Sequence, residues 1–199
     1  NHAPICAALA AKGYVVAMVV RRGYGNSDGY GFWDSGEYRN STVDSGLVGA
    51  KDLEATVKYL QTRPDVLQDK IAIMGHSQGG WIALASSTID IPGVRGVVNF
   101  SGATNFRNAQ GPLQGPGVEY PHEEGSAVYG KDSKTPALWL YANRDNHSME
   151  SVSRWFAAFK GSGGQGRLAF VKSGRGHSFI ADVPLYLDSL LQFFGEIGI

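Results

Sequence analysis

Apolar residues fall along the chain in short runs, and the spacing inside the runs takes two forms. Pro4–Lys12, PICAALAAK, carries proline at a first helical position and is followed by Gly13, the pair that opens and closes a short helix. Tyr14–Val20, YVVAMVV, is apolar without interruption, the pattern of a strand covered on both faces. Residues 47–62 return to helical spacing through Leu53, Val57 and Leu60, with Pro64 just beyond. Lys70–Met74 and Val94–Phe100 read as buried strands, with an alanine-rich helix over Gln78–Ser87 between them. Pro136–Tyr141 is a further strand, Ser148–Lys160 an amphipathic helix, and Arg167–Val171 the fifth strand. Val183–Phe194 closes the chain as a helix with Leu187, Leu190, Leu191 and Phe194 apolar.

Strand and helix alternate throughout. That order predicts right-handed crossovers and an α/β fold, a mainly parallel sheet with helices on both faces. Ala103–Ser133 breaks the alternation, with glycine, proline and polar residues and little periodicity. A stretch of that length without a pattern is expected to be a lid or binding insertion, at 103–133, on one domain spanning 1–199.

Composition narrows the function classes. Lysine plus arginine and aspartate plus glutamate both total 18, so the formal net charge is zero. A nucleic-acid binder normally shows a basic excess, and here the adjacent basic pair of note is Arg21-Arg22. No window approaches the ~18 uninterrupted apolar residues of a membrane-spanning helix. Cys6 is the single cysteine, which excludes an intrachain disulfide and reads as a small buried hydrophobe on a helix. A lone cysteine and no visible signal pattern fit a cytoplasmic compartment.

The chemistry centres on Gly75-His76-Ser77-Gln78-Gly79, a G-x-S-x-G motif with a strand immediately before it and a helix immediately after. The serine must occupy a strained conformation on a sharp turn, and the flanking glycines are expected to keep side chains out of the neighbouring strand and helix. Gly80 extends the small-residue patch, so that the new helix packs close. The turn lifts the Ser77 hydroxyl above the sheet's carboxyl edge and places the Gln78 amide at a helix N-terminus, where developing negative charge is favoured. A serine hydroxyl needs a base to take its proton, and the base needs an orienting carboxylate. Of five histidines, His177 follows the last strand and so reaches the same edge as Ser77. His147, after the fourth strand, is its rival, and His2 and His122 are weaker; the PHEE run at 121–124 reads as a solvated insertion rather than a metal site. Asp145 also follows the fourth strand, with a turn aspartate capping the next helix as the alternative reading, whereas Asp132 precedes that strand and Asp182 follows the histidine. His76 adjoins the serine but is expected to point away from it, as a structural or substrate-facing residue. Tyr24 is expected either to line the pocket or to pack as a rim aromatic, and Arg22 to tie its loop by hydrogen bonds. Trp33, Tyr38 and Phe106 are further pocket candidates.

Ser77, Asp145 and His177 stand in the order nucleophile, acid, base. With GYVVAMVVRRGYGNSDG, DKIAIMGHSQGGWIAL, PALWLYANRD and GRGHSF, the chain resembles the α/β-hydrolase superfamily, in the branch of dienelactone hydrolase-like and prolyl-oligopeptidase-like proteins. These stretches span nearly the whole chain. The resemblance implies an α/β-hydrolase fold and a serine hydrolase acting on a carboxylic ester, with an amide or short peptide also open, through an acyl-enzyme and without metal or organic cofactor. Some dienelactone hydrolases use a cysteine nucleophile, where this chain has serine. The resemblance also implies strands ahead of the helix at Pro4–Lys12, the last of them leading into a loop that donates an oxyanion-hole amide. The sequence as it stands enters that helix at once, so those N-terminal strands are missing from it and Gln78 is the one oxyanion donor in view. Two other readings stay open: acyl transfer by the same residues to an acceptor other than water, and a non-catalytic binding module on the same fold.

Overall fold

The computed structural model describes residues 2–30, 42–104 and 121–199, with the backbone of 107–108 and 111–112. Two helices come first, α1 (Ala3–Ala10) and α2 (Thr42–Leu60). Then follow β1 (Ile71–His76), α3 (Gln78–Ser86) and β2 (Val94–Phe100). A two-residue antiparallel ladder, β3 (Arg107–Asn108) and β4 (Gly111–Pro112), precedes α4 (His122–Asp132). The chain continues through β5 (Ala137–Ala142), α5 (Met149–Gly161), β6 (Gly166–Val171) and α6 (Leu187–Glu196). The main sheet has four parallel strands in the order β1-β2-β5-β6.

Successive strand residues point to opposite faces, and here both faces are covered. Val97, Trp139 and Tyr141 enter one core with Ala50, Trp81, Tyr129, Val152 and Phe159 from α2, α3, α4 and α5. Val98, Phe100, Leu138 and Leu140 enter a second core with Ile5, Leu9, Leu190 and Phe194 from α1 and α6. β5 is buried along its whole length, which is why PALWLY shows no alternation. The closing helix is split, because Pro184 sits in a short 3₁₀ turn over Val183–Leu185 before α6 begins.

Two expectations are corrected. Tyr14–Val20 is not a strand. Among the described residues, Val15–Val19 make no backbone–backbone hydrogen bond, and Val15, Met18 and Val20 are 53%, 63% and 58% exposed. Its composition is that of a covered strand, but a strand exists only through pairing. Between this segment and β1 lies a groove of about 590 Å³, lined by both. The main sheet therefore has four strands rather than five.

The second correction concerns 103–133. Part of this stretch is α4, whose Gly125 and Gly130 approach Trp81 and the backbone of Phe159 too closely for a Cβ. Small and polar residues at these contacts hide the helical period. His122, expected in a solvated insertion, is fully buried at the start of α4, against Trp81 and Trp155, and its Nε2 accepts from the Thr104 N–H at 3.0 Å. Whether the rest of 103–133 forms a lid falls largely outside the described residues.

Burial pushes the His122 imidazole down to about 3, with the nearby His147 acting in the same direction. The folded chain therefore holds His122 neutral, while the unfolded chain protonates it below about pH 6.5. Between those values the unfolded state binds the extra proton, so stability falls as pH falls. His122 alone is expected to remove about 2 kcal/mol between pH 7 and pH 5. His122→Gln keeps an acceptor for Thr104 and cannot titrate. Urea unfolding of both proteins at the two pH values should show that part of the acid loss missing from the variant.

Candidate active site

β1 ends at His76 and α3 begins at Gln78, so Ser77 alone makes the turn. Its backbone sits at φ 57, ψ −126, a region that L residues rarely occupy. The strain is held by surrounding hydrogen bonds: Ser77 N–H donates to Phe100 O, and Ser77 O accepts from the N–H groups of Gly80 and Trp81. A Cβ at position 75 would meet Gly79 O at 2.0 Å, and one at position 80 would meet Asn99 Oδ1 at 2.6 Å. Position 79 faces open space. The turn therefore requires Gly75 and Gly80, while Gly79 is not needed for clearance, which corrects the symmetric reading of the motif. Gly75→Ala is expected to destabilise by about 3 kcal/mol or to distort the turn. Gly79→Ala, at a helical position, is expected to be neutral or stabilising by up to about 1 kcal/mol. Thermal melts of the two variants check the contrast.

The carboxyl edge of the sheet brings the three expected residues together. His177 lies in the 3₁₀ turn Gly176–Ala181 after β6, and its Nε2 is 2.9 Å from Ser77 Oγ. Its Nδ1 is 3.0 Å from Asp145 Oδ1, on the loop after β5. The Asp145 side chain is fully buried, and that of His177 is 22% exposed. Burial by itself would raise the Asp145 pKa, but the hydrogen bonds from His177 and Ser101 outweigh it, and the carboxyl titrates below its ordinary value. Ser101, which the sequence does not single out, donates its hydroxyl to Asp145 Oδ2. Like Ser77 it directly follows a strand at the carboxyl edge and has positive φ, at 49°. In the sequence, NFSGAT shows only a serine directly after a strand, with no motif around it to single it out.

The Gln78 backbone N–H, at the first residue of α3, has no acceptor within its own helix. Its side-chain Oε1 accepts from Arg21 Nη2 at 2.9 Å. The Arg21 guanidinium lies 4.8 Å over the Tyr24 ring, so Tyr24 reaches the site through Arg21. Arg22 ties its loop to Asp52 by contacts of 2.6 and 2.7 Å. His76 turns away from the serine, and its Nε2 donates to the backbone carbonyl of His177 at 2.7 Å. His147 packs against Trp155 with its ring 6.5 Å from that of His177, and His2 packs edge-on to His76. Asp182 accepts from Ser173 Oγ and Arg175 Nε, both at 2.6 Å, and so braces the loop that carries His177. Asp132 ends α4. Trp33, Tyr38 and Phe106 lie outside the described residues. Among the described residues no cluster of three or more histidine, cysteine or acidic side chains is placed to hold a metal ion.

A carboxymethylenebutenolidase homologue of Synechocystis sp. is 31% identical over 101 residues, which cover 48% of this chain and 39% of that protein. An esterase of Pyrococcus furiosus superposes with a TM-score of 0.68 at 19% identity, over 100% of this chain and 78% of that one. A dienelactone hydrolase homologue of Klebsiella pneumoniae gives a TM-score of 0.55 at 16% identity, over 76% of this chain and 61% of that one. The chain thus spans well under half the length of its curated relative. At these identities the two structures bear on the fold, which they share with the parallel sheet and flanking helices described above. Residues 1–188, which include the turn at Ser77 and the loops of Asp145 and His177, match the pattern of the dienelactone hydrolase family, and the chain belongs to that family.

Proposed function

We propose that the chain is a serine hydrolase that cleaves carboxylic esters, with Ser77 as nucleophile, His177 as general base and Asp145 as its orienting acid. The observation that carries this reading is the continuous relay from Ser77 Oγ to His177 Nε2, at 2.9 Å, and from His177 Nδ1 to Asp145, at 3.0 Å. His177 Nε2 takes the hydroxyl proton as Ser77 Oγ attacks the ester carbonyl carbon. The carbonyl oxygen gains negative charge at the N-terminus of α3, where the Gln78 N–H and the helix dipole favour it. The protonated His177 then gives its proton to the departing alkoxide, leaving an acyl group on Ser77. Water enters, His177 takes one of its protons, and the same steps in reverse release the acid. Asp145 accepts from Nδ1–H, keeping Nε2 free to accept, and offsets the charge on the imidazolium. Ser101 keeps the second carboxylate oxygen satisfied and the group ionised.

The site's chemistry suits an acyl carbonyl whose leaving group His177 can protonate, a carboxylic ester first of all. With p-nitrophenyl acetate the expected result is a burst of p-nitrophenolate stoichiometric with enzyme, followed by slower steady turnover. Release no faster than in buffer would contradict the reading.

A further inference from the structure

His76 is the residue before Ser77, and it is bound not to the nucleophile but to the loop that carries the base. Its ring packs between those of His2, at 5.7 Å, and His177, at 4.9 Å. A carbonyl oxygen only accepts, so the 2.7 Å contact with His177 O requires the proton on His76 Nε2. The loop is braced on either side of His177. Asp182 holds Ser173 and Arg175, and Gly176, at φ +53, passes so close to Arg144 O that a Cβ would lie 2.6 Å from it. Among the described residues, His76 makes the side-chain hydrogen bond to the backbone of His177 itself. His76 in turn is the last residue of β1, in register with Phe100 of β2.

We propose that His76 is a positioning residue, whose Nε2–H clamps the His177 carbonyl so that the strand presenting Ser77 also fixes where the base stands. This rests on the serine-hydrolase reading above. The clamp makes the Ser77–His177 distance a property of one rigid strand end rather than of two independent loops. Proton transfer is sensitive to such placement, and a shift of about 1 Å costs up to about a hundredfold in rate. Burial, the largest influence on His76, lowers its pKa and so favours the uncharged ring. It therefore holds the carbonyl without setting a positive charge beside the base.

His76→Phe keeps a ring and removes the donor, whereas His76→Gln keeps an N–H at similar reach. With p-nitrophenyl acetate, the phenylalanine variant is expected to lose about tenfold to a hundredfold in kcat with KM within about twofold. The glutamine variant should recover most of that loss. A phenylalanine variant at wild-type rate, or a glutamine variant no better than it, overturns the proposal. The tautomer offers a test without substitution. Nitrogen-15 NMR of the wild-type ring should show Nε2 protonated and Nδ1 bare, and the opposite assignment overturns the clamp. Wild type that neither turns over the ester nor reacts with a fluorophosphonate overturns the hydrolase reading and this proposal with it. Wild type that does both, while the phenylalanine variant matches it, overturns the clamp alone.

Discussion

Ser77→Ala and His177→Ala are each expected to lower kcat for ester cleavage by about 10⁶-fold, and the double variant no further. On the proposed mechanism the two side chains act as one device. Without the imidazole the hydroxyl keeps its proton, and without the hydroxyl the imidazole has nothing to activate. Both sit at the carboxyl edge of a sheet that neither supports, so their removal should leave the thermal melt nearly unchanged. Relief of the strained backbone at Ser77, at φ 57, does not follow from alanine, which shares the same restriction. Steady-state kinetics of the single and double variants, beside their melting curves, separate loss of chemistry from loss of fold. Additive losses would mean that the two residues act in different steps.

Asp145→Asn is the second large effect, expected at about 10⁴-fold in kcat. The asparagine fits the same space, but its amide can donate to Nδ1 and so place the imidazole proton on Nε2, facing Ser77. That tautomer cannot accept the hydroxyl proton. The substitution also changes stability in a pH-dependent way. In the folded chain the carboxyl titrates below its ordinary value, because the bonds from His177 and Ser101 outweigh burial. Its ionised form therefore stabilises the fold above the ordinary carboxylate range, and that contribution is lost as pH falls through the folded value. Asparagine should remove this part of the acid sensitivity while leaving that of His122. Unfolding curves from pH 6 to pH 3, alongside kcat at neutral pH, check both halves.

Much of this site was legible in the sequence, for identifiable physical reasons. Ser77 announces itself because a strand, a sharp turn and a helix leave a local signature in glycine spacing. Asp145 and His177 are readable as candidates because a parallel sheet delivers the residue after each strand to one edge. Ser101 obeys the same rule, yet it is hidden, since a serine that supports a carboxylate has no motif of its own. The sequence leaves His76 between a structural and a substrate-facing residue, because its partner is a backbone carbonyl a hundred residues on, which no side-chain pattern records. In the fold, the four strands of the main sheet are visible from short, largely apolar runs, of which β5 is buried along its whole length. Tyr14–Val20 failed by the same criterion: hydrophobicity predicts that a segment should be covered, and only pairing makes it a strand. Helix α4 escaped because its contacts use glycine, and a helix that packs through missing side chains shows no apolar stripe.

The central claim is that Ser77 is an activated nucleophile. The most direct measurement is peptide mapping of the native chain after reaction with a fluorophosphonate at neutral pH. One adduct per chain is expected, on the peptide that contains Ser77, and it should disappear in His177→Ala or after denaturation. No adduct, or an adduct on another serine such as Ser101, would contradict it.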